Sequence, residues 1–294
     1  MRTKLIERLF VAGGEYQIAR WAGTATPVLA VHGITASHLA WPPVVDCVSG
    51  NYTILAPDLR GRGVNNALPP PYGLKAHVAD LLSVLDHYQI DQCVVAGHSL
   101  GAYIALELVS AAPDRVQGLV LVDGGLALPL RDGATPEQVI AGVLGPALQR
   151  LEMQFADPEA YRAFWRQHPA FQDHDAWNPY VEAYVDYDLI GTPPAMISRV
   201  NREAVRVDAY GPLDPKMVTL IDQVCQPMVL LTAPRGLLNQ AQPLLPLTAV
   251  ADKCARLPNL THVEIADTNH YSIMTGSGRF EVARQIDAFI QALQ

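Results

Sequence analysis

The stretch Cys93-Val94-Val95-Ala96-Gly97-His98-Ser99-Leu100-Gly101-Ala102-Tyr103-Ile104-Ala105 constrains this chain more than any other. An apolar β-type run, Cys93 to Ala96, meets Gly-His-Ser-Leu-Gly, and a segment with helical spacing follows. This places a G-x-S-x-G pattern on a strand-to-helix turn, the context in which its serine becomes a candidate nucleophile. A residue on so sharp a turn sits at strained φ/ψ, and the backbone needs small neighbours on both sides, here Gly97 and Gly101. The turn lifts the Ser99 hydroxyl clear of the sheet. It also sets the Leu100 amide at a helix start, where the dipole favours an oxyanion. Glycine and serine are common in loops, so the pattern gains meaning only if the rest of the chain agrees with it.

It does agree. Leu5–Gly13 and Glu15–Gly23 alternate roughly around Gly13-Gly14 and predict an N-terminal hairpin. The continuous apolar run Pro27–Gly33 suits a strand buried on both faces of a parallel sheet. A helix-like stretch (Ser37–Val48), a strand (Thr53–Ala56), a polar loop through Pro57-Asp58-Leu59-Arg60-Gly61-Arg62-Gly63 and an amphipathic helix (Leu74–Tyr88) lead to the turn already described. A strand over Val116–Asp123 follows its helix, so βαβ units and a mainly parallel, doubly wound α/β sheet are expected. The alternation stops at Gly124-Gly125. The aromatic-rich stretch 126–215, with helical spacing over Glu137–Phe155 and Pro158–Gln167, is too long for a loop and reads as a helical cap. A strand (Pro227–Thr232), a proline-interrupted helix (Leu244–Arg256), a last strand (Leu260–Ala266) and a helix (Gly278–Leu293) complete the core. The expected organisation is therefore core over 1–125, cap over 126–215 and core again over 216–294.

Composition narrows the class. Half of the 294 residues are hydrophobic, enough for a sizeable core, and the net charge of −8 argues against nucleic acid or an anionic membrane as partner. The N-terminus has no apolar leader, and no run approaches the about 20 apolar residues of a membrane span, so a cytoplasmic protein is expected. The four cysteines are widely spaced, and Cys93 and Cys225, near the starts of strand-like runs, read as buried thiols. The nine histidines and the cysteines form no metal-ligand spacing, and no phosphate-binding glycine loop occurs.

Four motifs in this order and at these spacings, His32-Gly33-Ile34, Asp58-Leu59-Arg60-Gly61-Arg62-Gly63, Gly97-His98-Ser99-Leu100-Gly101 and Asp267-Thr268-Asn269-His270, resemble the α/β-hydrolase family over nearly the whole chain, most weakly across the cap. The resemblance implies an eight-stranded, mainly parallel sheet with the cap inserted after the sixth strand, and a serine esterase-like site that needs no cofactor and no metal. Ser99 is the nucleophile in this reading, since two flanking glycines are not needed for a plain helix cap. His270, in a polar loop after the last strand, is the base. His262 lies at the wrong end of its strand, His174 lies in the cap, and His98 belongs to the turn and should support it. Backbone amides of Ile34 and Leu100 would form the oxyanion hole, as in the family. His32 is expected to bond loop backbone, and Asp58 with Arg60 to fix a turn.

The acid departs from the family's commoner pattern. The loop after the seventh strand, Ala233 to Gln242, holds no Asp or Glu. Asp123, at the end of the sixth strand, is the carboxylate at the family's other position. Asp267 is the backup, and Asn239 could orient a ring but not stabilise its charge. The cap's aromatics are either its own core or, for Trp165, Trp177, Tyr184 and Tyr187, the lining of an apolar substrate pocket. The expectation is a serine hydrolase of a small-to-medium apolar carboxylic ester or lactone, a monomer or homodimer. Thioester or carbon–carbon bond hydrolysis, cofactor-free perhydrolysis and a largely non-catalytic receptor of the same fold remain as rivals.

Overall fold

The computed structural model describes residues 2–128, 133–173 and 176–294. β1 (Lys4–Val11) and β2 (Gly14–Trp21) form the N-terminal hairpin, turning at Gly13 with φ of 101°. β3 (Ala25–Val31), β4 (Tyr52–Pro57), β5 (Cys93–His98), β6 (Val116–Val122), β7 (Met228–Thr232) and β8 (Leu260–Glu264) follow. They make one eight-stranded sheet in the order β1-β2-β4-β3-β5-β6-β7-β8, antiparallel along β1-β2-β4 and parallel from β4 to β8.

Every residue of β5 is buried, because both faces of the sheet are covered. On β6, Leu119 and Leu121 enter one core, with Leu81 and Leu85 of α1 (Leu74–His87) and Ile104 and Leu108 of α2 (Leu100–Ala111). Val120 and Val122 enter the other. They meet Val44, Ile273 and helix residues Val282, Ile286 and Ile290 of the C-terminal Gly278–Ala292. A continuous apolar run thus splits between two cores by its period of two.

The segment between β6 and β7 is helical, with α3 (Pro136–Arg150), α4 (Pro158–Arg166), α5 (Pro179–Asp188) and α6 (Arg202–Asp208). A two-residue antiparallel pair, Leu189–Ile190 with Ile197–Ser198, lies between α5 and α6. The first three helices start alike. Thr135, Asp157 and Asn178 each accept a hydrogen bond from a first-turn amide, and each is followed by proline at the first helical position. Proline there forfeits an N–H that has no helical partner anyway.

Proline also explains where the helical expectations were too long. Ser37–Val48 is a 3₁₀ turn at His38–Ala40 and one helical turn at Pro42–Val45, since Pro42-Pro43 can only begin a helix. The helix expected from Leu244 begins at Leu247, after Pro246. Cys93 is buried as expected, but Cys225 is exposed: β7 begins only at Met228, so the thiol falls in the connection before it. Among the described residues, no helix is long and apolar enough to cross a membrane.

Candidate active site

Ser99 stands between β5 and α2 with φ of 54° and ψ of −120°. Its amide donates to Val122 O at 2.9 Å, and its side chain caps no helix amide. A Cβ on Gly97 would lie 2.3 Å from Gly101 O, and one on Gly101 would lie 2.1 Å from Val31 O. The flanking glycines are therefore demanded by close backbone approach, while the left-handed strain falls on the serine itself.

His270 follows β8 and Asp123 follows β6, so both reach the carboxyl edge of the sheet beside Ser99. The His270 Nδ1–H donates to Asp123 Oδ2 at 2.6 Å, and both residues are buried. The other carboxylate oxygen accepts from the Ala233 amide at 3.2 Å. With its proton on Nδ1, the His270 ring presents Nε2 as an acceptor. Asp267 is exposed, its carbonyl accepting from Arg235 at 2.9 Å. Asn239 accepts from Asn269 at 3.1 Å and donates to Asp173 at 3.3 Å, so these side-chain bonds go to residues other than His270. His262 pairs with Thr232 on the neighbouring strand, and His174 lies outside the described residues.

Two further histidines hold backbone. His98 Nε2 donates to the His270 carbonyl at 3.0 Å, tying the loop of one ring to the turn of the other. Burial, with His270 nearby, holds His98 well below the ordinary histidine range, so it stays uncharged. His32 Nε2 accepts from the Leu59 amide at 2.9 Å, which puts its proton on Nδ1, donated to Gly33 O at 2.8 Å. Burial pushes its pKa down to about 3. Asp58 accepts from both the amide and the ring of His38, from Tyr187 and from Gln17. Burial would raise its pKa, but these partners hold it below the usual carboxylate range. Arg60 pairs in a buried fork with Asp80.

Gly33, Ile34, His98, Ser99, Leu100 and His270 line one cavity. Among the described residues, neither the Ile34 nor the Leu100 amide has a protein acceptor. Residues 26–277 match the model of the alpha/beta hydrolase fold family. The chain belongs to this family.

Among its relatives is Lipase LipV of Mycobacterium tuberculosis, 32% identical over 166 residues, 56% of this chain and 58% of that protein. A 2-hydroxy-6-oxo-2,4-heptadienoate hydrolase of Pseudomonas putida is 32% identical over 44% of this chain and 48% of its own. The chain thus spans about half the length of these relatives. The crystal structure of E-2-(acetamidomethylene)succinate hydrolase superposes with a TM-score of 0.80 over 98% of this chain and 100% of that one. At 18% identity that likeness speaks for the α/β-hydrolase fold alone.

Of the aromatics expected over the serine of this hydrolase, Tyr184 lines the cavity and the other three do not. Trp165 is buried among Tyr161, Phe171 and Tyr184, with the Arg150 guanidinium 5.0 Å from its ring centre. Trp177 lies under Arg166, and Tyr187 donates to Asp58 at 2.5 Å. Their place is taken by one aliphatic face of α3, Val139, Ile140, Val143, Leu144 and Ala147. The recurrence at i, i+1, i+4, i+5 and i+8 was the available signal. Among the described residues lining the cavity, none is Asp, Glu, Lys or Arg. No group of three or more His, Cys, Asp or Glu suited to a metal occurs among the described residues.

Proposed function

We propose that this α/β-hydrolase is a serine hydrolase of a carboxylic ester or lactone whose acyl or alcohol part is small to medium, neutral and apolar. The Asp123–His270 pair, set at the sheet edge beside the strained Ser99, carries the reading. His270 Nε2 takes the Ser99 proton as Oγ attacks the carbonyl carbon, and the Ile34 and Leu100 amides receive the oxyanion. Collapse expels the alcohol, which takes the proton from His270. Water then adds to the acyl-enzyme by the same steps, freeing the acid and restoring Ser99. Asp123 holds the ring's tautomer and stabilises the imidazolium. No step needs a cofactor. The helical segment 126–215 acts as a cap whose α3 face covers the substrate.

The lining favours this reading over carbon–carbon hydrolysis of an acid such as the one named for the Pseudomonas relative. The described lining is mainly aliphatic and aromatic, with Val139, Ile140, Val143 and Leu144 of α3 beside Phe171 and Tyr184, which suits an apolar acyl or alcohol group. Ser99→Ala tests the proposal. Turnover of p-nitrophenyl esters and labelling by a fluorophosphonate should vanish while the melting temperature is kept. Ester turnover at the original rate would sink it.

A further inference from the structure

The cavity describes the site from one side; the outer side of the oxyanion loop is described by a second, buried cluster. The peptide that carries the Ile34 amide has its own oxygen, Gly33 O, held by His32 Nδ1 and by the Ala36 amide at 3.2 Å. The next carbonyl, Ile34 O, accepts from Arg62 Nε at 2.8 Å. Two successive peptide planes are thus anchored by side chains, the first by His32 and the second by Arg62. The Ile34 N–H lies in the first plane, pointing opposite to Gly33 O, so holding that plane and its successor fixes its direction.

Arg62 is not a free anchor. Its side chain is fully buried, and Nη1 pairs with Asp208 Oδ2 at 2.5 Å while donating to Arg60 O at 2.9 Å. Asp208 is the last residue of α6, in the helical segment, and is itself fully buried. It also meets His77 Nε2 at 2.8 Å and accepts from the Gly73 amide at 2.7 Å, the start of α1. Burial opposes its charge, but Arg62 and His77 outweigh burial and hold its pKa at about 2. The Asn201 amide, which precedes α6, donates to Gly61 O at 2.8 Å. The side chain of Ile34 packs against Leu151, Val200 and Val205 of the same helical segment.

We infer that Arg62 and Asp208 are positioning residues, and that through them the helical segment sets the Ile34 amide for the oxyanion. A buried guanidinium needs a counter-charge. Here the counter-charge is supplied from α6, so the loop takes its catalytic shape only when that helix is docked. The inference rests on the reading of Ile34 as an oxyanion donor. Its effect falls on the transition state, where the oxygen is charged, rather than on substrate binding.

Arg62→Lys tests it, because lysine keeps the charge for Asp208 but cannot also donate through a planar fork to Ile34 O. For wild type and variant, kcat, KM, melting temperature and rate of fluorophosphonate labelling are measured on p-nitrophenyl esters. A drop in kcat on the order of 10²-fold with KM within about threefold is expected, the size of losing one oxyanion donor. Asp208→Asn should lower kcat in the same direction, and the double variant should be no slower than Arg62→Lys alone, since both act along one path. A purely structural role would lower the melting temperature and leave kcat per folded enzyme unchanged, which overturns the inference. Should Arg62→Lys not fold, the kcat of Asp208→Asn decides by the same criterion. A wild-type chain that neither labels nor turns over esters overturns the serine-hydrolase reading and this inference with it. An active wild type with kcat unchanged in the variants overturns this inference alone.

Discussion

Asp123→Asn isolates what the carboxylate contributes, because it preserves shape and removes only charge and one acceptor. The Ala233 amide donates to Asp123 Oδ1, so the asparagine must keep its oxygen on that side. Its NH₂ then faces His270 Nδ1, where the carboxylate now accepts at 2.6 Å. The ring must turn Nδ1 into an acceptor and carry its proton on Nε2, leaving nothing to receive the Ser99 proton. The imidazolium formed in the reaction also loses its counter-charge, about 4 kcal/mol for unit charges roughly 4 Å apart at an effective dielectric near 20. That alone is roughly a thousandfold in rate, and the tautomer adds to it. The expected loss in kcat is about 10³- to 10⁴-fold at neutral pH, in line with the same change in the serine–histidine–aspartate template. Steady-state hydrolysis of p-nitrophenyl butyrate, with circular dichroism to confirm the fold, measures it. A loss under about tenfold refutes the assignment of the acid, and the exposed Asp267 is the control whose asparagine variant should be neutral.

The α3 face predicts a chain-length effect: each added acyl methylene buried there is worth about 0.8 kcal/mol, so kcat/KM should rise up to about fourfold per carbon until the cavity fills. Val143→Asp should flatten that rise, and a wild type indifferent to chain length would show that the acyl group lies elsewhere. Stability should fall on acidification. His32, with a pKa of about 3 when folded against 6.5 free, and His98, held well below the ordinary range by burial, both bind protons first in the unfolded chain. In the window below 6.5 the unfolded state holds more protons, so stability drops as pH drops, by about 1.4 kcal/mol per pH unit from His32 alone. Urea unfolding across that window measures the slope, and stability level down to about pH 4 contradicts it.

The central strands were legible because burial on both faces leaves unbroken apolar runs, and their alternation with helices made a mainly parallel sheet legible, while its eight strands came from the family resemblance. Ser99 was legible from the strand before it, the helix after it and the other motifs in order, while the close approach of Val31 O that demands Gly101 was not. The lining of the cavity was not, because aromatic size signals burial without saying which side of a helix is buried: Trp165 fills the interior of the helical segment, while α3 offers smaller aliphatics to the cavity. The pairing of Arg62 with Asp208 was also out of reach. Nothing local to Asp58-Leu59-Arg60-Gly61-Arg62-Gly63 distinguishes the guanidinium that meets α6 from the one that meets Asp80 on α1. Pro42-Pro43 and Pro246 mark where helical turns begin, which hydrophobic spacing alone does not show.

The position of β7 and β8 at the far edge of the sheet has a consequence for how the chain comes into being. Asp123 leaves β6, whereas its partner histidine follows β8, and β8 reaches β6 only through β7, so the two meet only in a sheet that holds both last strands. The contact that joins them spans 147 positions, half the chain, the kind of long-range closure that is slow to form. A nascent or C-terminally clipped chain can therefore own the strained serine and much of the sheet and still lack the group that arms it. In the proposed mechanism, Ser99 thus has no base until the last strand is in place.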